Sequence, residues 1–145
     1  MLLKRILVNL QKNKMKKTLL LIQFLLFSII GFSQSQIEMN ATANTSFEKS
    51  DKELNVVYQK ILKEYKNEIS FLKNLKKSQL LWLKFRDAEM LARFPDPSNL
   101  TYGSIFPLCY SQYKEELTRQ RINNLKVWLV GFEEGEMCSG SVKIK

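Results

Sequence analysis

The sequence predicts an all-α protein, a small three- or four-helix up-down arrangement behind an N-terminal targeting segment. Two observations predict it. Apolar residues recur at three- and four-residue steps through three long stretches, the spacing of one helix face. No stretch alternates with the period of two that a half-buried strand needs, and nothing repeats internally.

Residues 1–33 carry Lys4, Arg5, Lys12, Lys14, Lys16 and Lys17 and no acid. Lys16 and Lys17 precede an apolar run over 19–32, broken only by Gln23, Ser28 and Gly31, and small residues at Gly31 and Ser33 offer a cleavage site, with Ser33 and Ser35 an equal alternative two residues on. As a helix that run spans about 21 Å against roughly 30 Å of hydrocarbon, so a cleaved signal peptide is expected rather than an anchor. A Met-Lys-Lys beginning at Met15 marks an alternative start. The signal implies export to the periplasm or beyond, with no membrane contact after cleavage. Residues 34–43 read as a flexible lead, 44–131 as the helical domain and 132–145 as an acidic and polar tail.

The first helix is expected from Thr45 or Ser46 as its cap, with Phe47, Leu54, Val57, Tyr58, Ile61, Leu62, Tyr65 and Ile69 along one face; the stripe continues through Leu72 and Leu75, so a break near 67–70 is allowed but not forced. The second runs over 71–94 with Leu72, Leu75, Gln79, Trp82, Arg86, either Glu89 or Met90, and Arg93 on its face, widened by Leu80, Leu83 and Leu91. Pro95-Asp96-Pro97 ends it, because proline lacks an N–H and disfavours helical geometry before itself. Residues 95–107 form a loop, and its aromatic and aliphatic content predicts that it folds onto the body. The third helix spans 108–130, carries Tyr110, Tyr113, Leu117, Arg121, Leu125, Trp128 and Leu129 on one face, and stops at Gly131.

Charge and composition exclude several classes. The whole chain has 23 Lys plus Arg and 14 Asp plus Glu. Removing residues 1–33 leaves 23 − 6 = 17 basic residues, a net of 17 − 14 = +3, so the basicity belongs largely to the signal and nucleic acid is not expected as a partner. The Lys73, Lys76 and Lys77 cluster reads as a solvated helix face. The chain has no histidine, which removes Ser-His-Asp and Cys-His catalysis and most zinc sites, and no phosphate-binding glycine loop or C-x-x-C pattern is present. No cofactor, no metal and no enzymatic activity are expected. Two cysteines in an exported chain suggest a Cys109–Cys138 disulfide, worth about 3 kcal/mol in the chain-entropy model; two free thiols are the alternative.

The most specific stretches are Asp51-x-Glu53-Leu54-Asn55-x-x-Tyr58 and Gln79-x-x-Trp82-x-x-Phe85-Arg86-Asp87-Ala88-Glu89, followed by Gly103-Ser104-Ile105-x-Pro107 and Leu117-Thr118-x-x-Arg121-x-x-x-Leu125. In this order they resemble the secreted, helical lysozyme-inhibitor family named after LprI, over roughly residues 39–125. The chain departs from the family where relatives carry cysteine near the start of the domain and after the Arg-Asp-Ala-Glu run; here Thr42 and Met90 stand there, and Tyr113 replaces a further one. The relatives' disulfide framework therefore does not carry over. The resemblance implies a protein partner, lysozyme, bound without catalysis; an envelope interaction module with the same fold and another partner is the alternative.

On the residues themselves, Arg86 beside Trp82 needs carboxylates, and Asp51 or Asn55 on the first helix are better placed than the adjacent Asp87. A buried clasp between two helices is the favoured reading, an exposed contact for a partner the other. Trp82 reads as a core anchor. Asp96, Tyr102, Gly103, Ser104 and Phe106 make the best surface candidate, with the competing reading that Ser104 merely caps the third helix. Glu133, Glu134 and Glu136 are candidates for the acidic patch that a basic lysozyme requires.

Overall fold

The computed structural model describes residues 2–145, and the side chains of residues 12, 14–20, 23, 35–98 and 100–145. The protein is all-α: α1 spans Leu2–Glu64, α2 Ile69–Arg93, α3 Asn99–Tyr102 and α4 Phe106–Val130. Two compact units divide it, Met1–Glu38 and Met39–Lys145. Most of the apolar run over 19–32, expected to direct export, lies outside the described side chains. Among the described residues no helix is long and apolar enough to cross a membrane.

In the second unit α1, α2 and α4 share one core. Leu54, Val57, Ile61 and Tyr65 meet Leu75 of α2 and Ile122 and Leu125 of α4, with Phe71, Trp82 and Trp128 packed around them. The pairing of residues fixes direction. Asp51 meets Arg86, while Ile61 and Leu75 sit in the same cluster, so α2 runs back along α1; Arg86 meets Thr118 and Gln79 meets Arg121, so α4 reverses again.

Several boundaries follow from local chemistry. α2 stops at Arg93, two residues before Pro95, and the Phe94 N–H closes the last turn on the Met90 carbonyl at 2.9 Å. α4 begins with a proline in its first turn, where the missing N–H leaves no gap in the ladder. It ends at Gly131, whose φ of 81° suits glycine, and a Cβ there would come within 2.8 Å of the Lys143 carbonyl oxygen.

Four expectations are corrected. Residues 34–43 are helical, not a loose lead: they contain no glycine or proline, and Ala43 is buried. Thr45 is therefore no cap but lies mid-helix, its hydroxyl donating to the Ala41 carbonyl at 2.8 Å. Leu80 and Leu91 do not widen the core face of α2; both are more than half exposed. Cys109 and Cys138 are free thiols. Cys109 sits in the first turn of α4 and Cys138 follows its far end, so about 30 Å of helix separates regions that a disulfide would have to bring to roughly 6 Å.

The tail is held. The Phe132 N–H donates to the Lys143 carbonyl and the Lys145 N–H to the Phe132 carbonyl, both at 2.9 Å, around an isolated parallel bridge between Phe132 and Ile144. Tyr65, almost wholly buried, joins this end together: its hydroxyl donates to the Trp128 carbonyl at 2.9 Å and accepts the Lys143 N–H at 3.2 Å.

Candidate functional site

Two constellations stand apart, a polar clasp in the middle of the bundle and an aromatic corner at one end. The clasp centres on Arg86, which is 8% exposed. Its Nη1 donates to Asp51 Oδ1 at 3.0 Å and to Thr118 Oγ1 at 3.2 Å, tying α2 to both neighbours. The Thr118 hydroxyl in turn donates to the Lys114 carbonyl at 2.8 Å. The guanidinium carbon stands 5.1 Å from the Trp82 ring centroid and 5.9 Å from that of Phe47, so aromatic faces add to the stabilisation of its charge. Asp87 approaches Nε only to 3.9 Å, beyond hydrogen-bond range, and Asn55 is exposed and takes no part.

A second polar link lies further along. Arg121 Nε donates to buried Gln79 Oε1 at 3.0 Å and Nη2 to Ser78 Oγ at 3.1 Å. Burial pulls the Arg121 guanidinium down from its ordinary value. Trp82 lies between the two arginines, 5.9 Å from the Arg121 guanidinium carbon. Leu54 and Leu117 are buried beside these links, and Tyr58 packs against the core with its hydroxyl pushed upward in pKa by burial. Thr118 as an Arg86 partner is what sequence reasoning missed. The signal was its place among Leu117, Arg121 and Leu125 on the inward face of α4, where a hydroxyl must find a partner.

The corner is built on Phe94, just past α2. Its ring meets Tyr102 and Phe106 edge-on, each at 5.6 Å, and Tyr110 and Tyr113 at 5.7 and 6.3 Å. Tyr102 stacks on Phe106 at 5.4 Å. Arg93 lies over Tyr113 at 4.4 Å, and the Tyr113 hydroxyl donates to Glu89 at 3.3 Å. The connection from 95 to 105 is thereby anchored at both ends. Within it the Thr101 hydroxyl donates to the Asp96 carboxylate, Gly103 turns at φ 72°, and the Ser104 carbonyl accepts the Asn40 side-chain amide at 3.4 Å.

Of the residues singled out for partner contact, Asp96, Gly103 and Ser104 are exposed, while Tyr102 and Phe106 are half-buried in the stack. Ser104 does not cap α4; Ile105 occupies that position, without a side-chain cap. Leu100 was not singled out, yet it is 99% exposed, at the centre of α3. An apolar residue among Pro, Ser, Asn and Thr was the available hint. The acidic candidates Glu133, Glu134 and Glu136 are exposed but follow the opposite end of α4, about 37 Å along the helix from Phe106, so they cannot share one small contact with this corner. Among the described residues no three His, Cys, Asp or Glu side chains converge to hold a metal ion.

The family model described as lysozyme inhibitor LprI matches residues 32–125, a span that contains both constellations and leaves out the tail. No curated protein and no solved structure matches the chain.

Proposed function

The chain belongs to the lysozyme inhibitor LprI family, and from that premise we propose that it is an exported, non-catalytic protein that blocks a lysozyme-like muramidase by occluding its cleft. The clasp acts as scaffold and the corner as contact. The observation that supports this division is Leu100: a fully exposed leucine stands on a turn whose two ends are fastened by stacked rings. A rigid apolar knob loses little freedom on entering a cleft, and the exposed Asp96 carboxylate and Ser104 hydroxyl beside it supply polar contacts. The expected export and signal cleavage near residue 33 belong to the same proposal; N-terminal sequencing of the extracytoplasmic protein tests them.

The test of inhibition is turbidity. Micromolar protein is added to lysozyme clearing a suspension of bacterial cells, and slowed clearing is expected. Ser104→Trp, which enlarges an exposed side chain on the turn, should abolish the slowing without changing helical content. One observation favours a second reading, an envelope module with another protein partner. Asp96 is the only carboxylate between residues 95 and 107, so a strongly basic enzyme gains little steering at this corner. Unslowed clearing with several lysozyme types would leave that second reading in front.

A further inference from the structure

The core-facing side of α2 accounts for Leu75, Gln79, Arg86 and Met90, all buried. Its opposite side is apolar as well. Leu80, Leu81, Phe85 and Leu91 are each more than half exposed, and no contact of the clasp or the corner uses them. Lys73, Lys76, Lys77 and Lys84 are exposed on the same helix. The steps 73, 77, 80, 84, 91 and 77, 81, 85 are three, four or seven residues, so Lys73, Lys77, Leu80, Lys84 and Leu91 share one outward stripe about 27 Å long, with Leu81 and Phe85 along its edge. The helix has two carboxylates. Asp87 is exposed; Glu89 is half-buried and receives the Tyr113 hydroxyl.

We infer that this outer face of α2 lies against an anionic lipid surface. Leucine and phenylalanine enter the boundary between headgroups and acyl chains, while the lysine stems lie along it and raise their ammonium groups to the phosphates. Charge selects this occupant. A second copy would bring the lysines of both chains together against one exposed carboxylate from each, and a basic protein would be repelled in the same way. A zwitterionic surface would leave the lysines without a partner. This departs from the expectation of no membrane contact after signal cleavage; a helix lying in the interface plane needs no spanning segment.

The apolar run over 19–32 could carry the full chain to vesicles by itself, so the measurement must be local. Phe85→Trp and, off this face, exposed Val130→Trp are made in the full chain and compared with the parent. Each is mixed with phosphatidylglycerol vesicles whose acyl chains are brominated, and with brominated phosphatidylcholine vesicles. The expected result is at least two-fold quenching of the added Phe85→Trp emission on phosphatidylglycerol alone, with Val130→Trp unchanged. Adding Lys77→Glu and Lys84→Glu to Phe85→Trp should restore the emission. Three results overturn the inference: no quenching of Phe85→Trp on vesicles that sediment the protein, equal quenching at Val130→Trp, or a blue shift of Phe85→Trp that grows with protein concentration without lipid, which assigns the face to a second copy.

Discussion

The clasp and the aromatic corner both join α2 to α4, and they do so by different physics. The clasp uses directional bonds: Arg86 reaches Asp51 and Thr118 at 3.0 and 3.2 Å, and Arg121 reaches Gln79 at 3.0 Å. A shift of one residue along either helix would strand a charged donor in a nearly dry site, so these bonds fix register. The corner uses area. Its rings meet at centroid distances between 5.3 and 6.3 Å with tilts from 21° to 82°, a range in which many arrangements are nearly equal in energy. Stacking holds a short connection firmly without dictating its sequence. A surface that must suit a partner is better built on the second kind of contact, because its exposed residues can change while the footing stays.

That contrast can be broken at its strong end first. Arg86→Ala should destabilise the protein by about 3 kcal/mol, since it leaves Asp51 and Thr118 without their donor and opens space against Trp82 and Phe47. Arg86→Lys should recover only part of this, because one ammonium cannot reproduce two fixed bonds and a stacked plane. Urea unfolding followed by far-UV circular dichroism measures both, and equal stability of all three proteins would remove the clasp from the account. Phe94→Ala should cost less, about 2 kcal/mol, because the ring is half-buried and its neighbours can partly collapse. Unlike Arg86→Ala, it should also loosen the connection, raising protease cleavage between 95 and 105.

Much of this was legible in the sequence. The all-α class, the end of α2 before Pro95 and the stop at Gly131 followed from periodicity and from what proline and glycine do to a backbone. Arg86 with Asp51 was readable because a guanidinium on an apolar stripe must find a carboxylate, and one waited on the facing helix. What failed depended on context. Thr45 fits a cap by type, but capping is decided by whether the residues before it continue the helix, and Ala41 and Ala43 do. Leu80 and Leu91 fit the core by type, and only the third dimension shows that the core occupies the other side of α2. The disulfide failed on distance along α4, which a count of cysteines does not contain.

Leu100 sharpens the comparison by separating stability from recognition. Leu100→Ser removes no internal contact of note from a side chain already in water, so unfolding stability should stay within about 0.5 kcal/mol. If the corner is the contact, inhibition should fall about tenfold, the loss of about 1.4 kcal/mol expected of one apolar anchor. The same tenfold loss from Arg86→Ala at a temperature where that variant is fully folded would point to the clasp as the contact and reverse the roles of the two regions.

The smallest effect is electrostatic and belongs to the rim of the bundle. Glu53 of α1 accepts Lys126 at 2.8 Å and lies 3.8 Å from Arg119. The Lys126 hydrogen bond, aided by the charges of Lys126 and Arg119 and opposed by slight burial, holds its carboxyl below the ordinary 4.5. A lowered folded value means that the stabilisation is fully present above pH 4.5 and is lost as the pH falls through the folded value. With the carboxylate 40% exposed, solvent screens the pair to well under about 1 kcal/mol. Glu53→Gln should therefore leave stability at pH 7 slightly lower and make its decline between pH 5 and 3 slightly shallower, with the difference from the parent disappearing in 1 M salt as the Debye length shrinks to about 3 Å. A difference that survives such salt would mean that the Glu53 side chain contributes by packing along α4, and that even the rim of this bundle is held by area more than by charge.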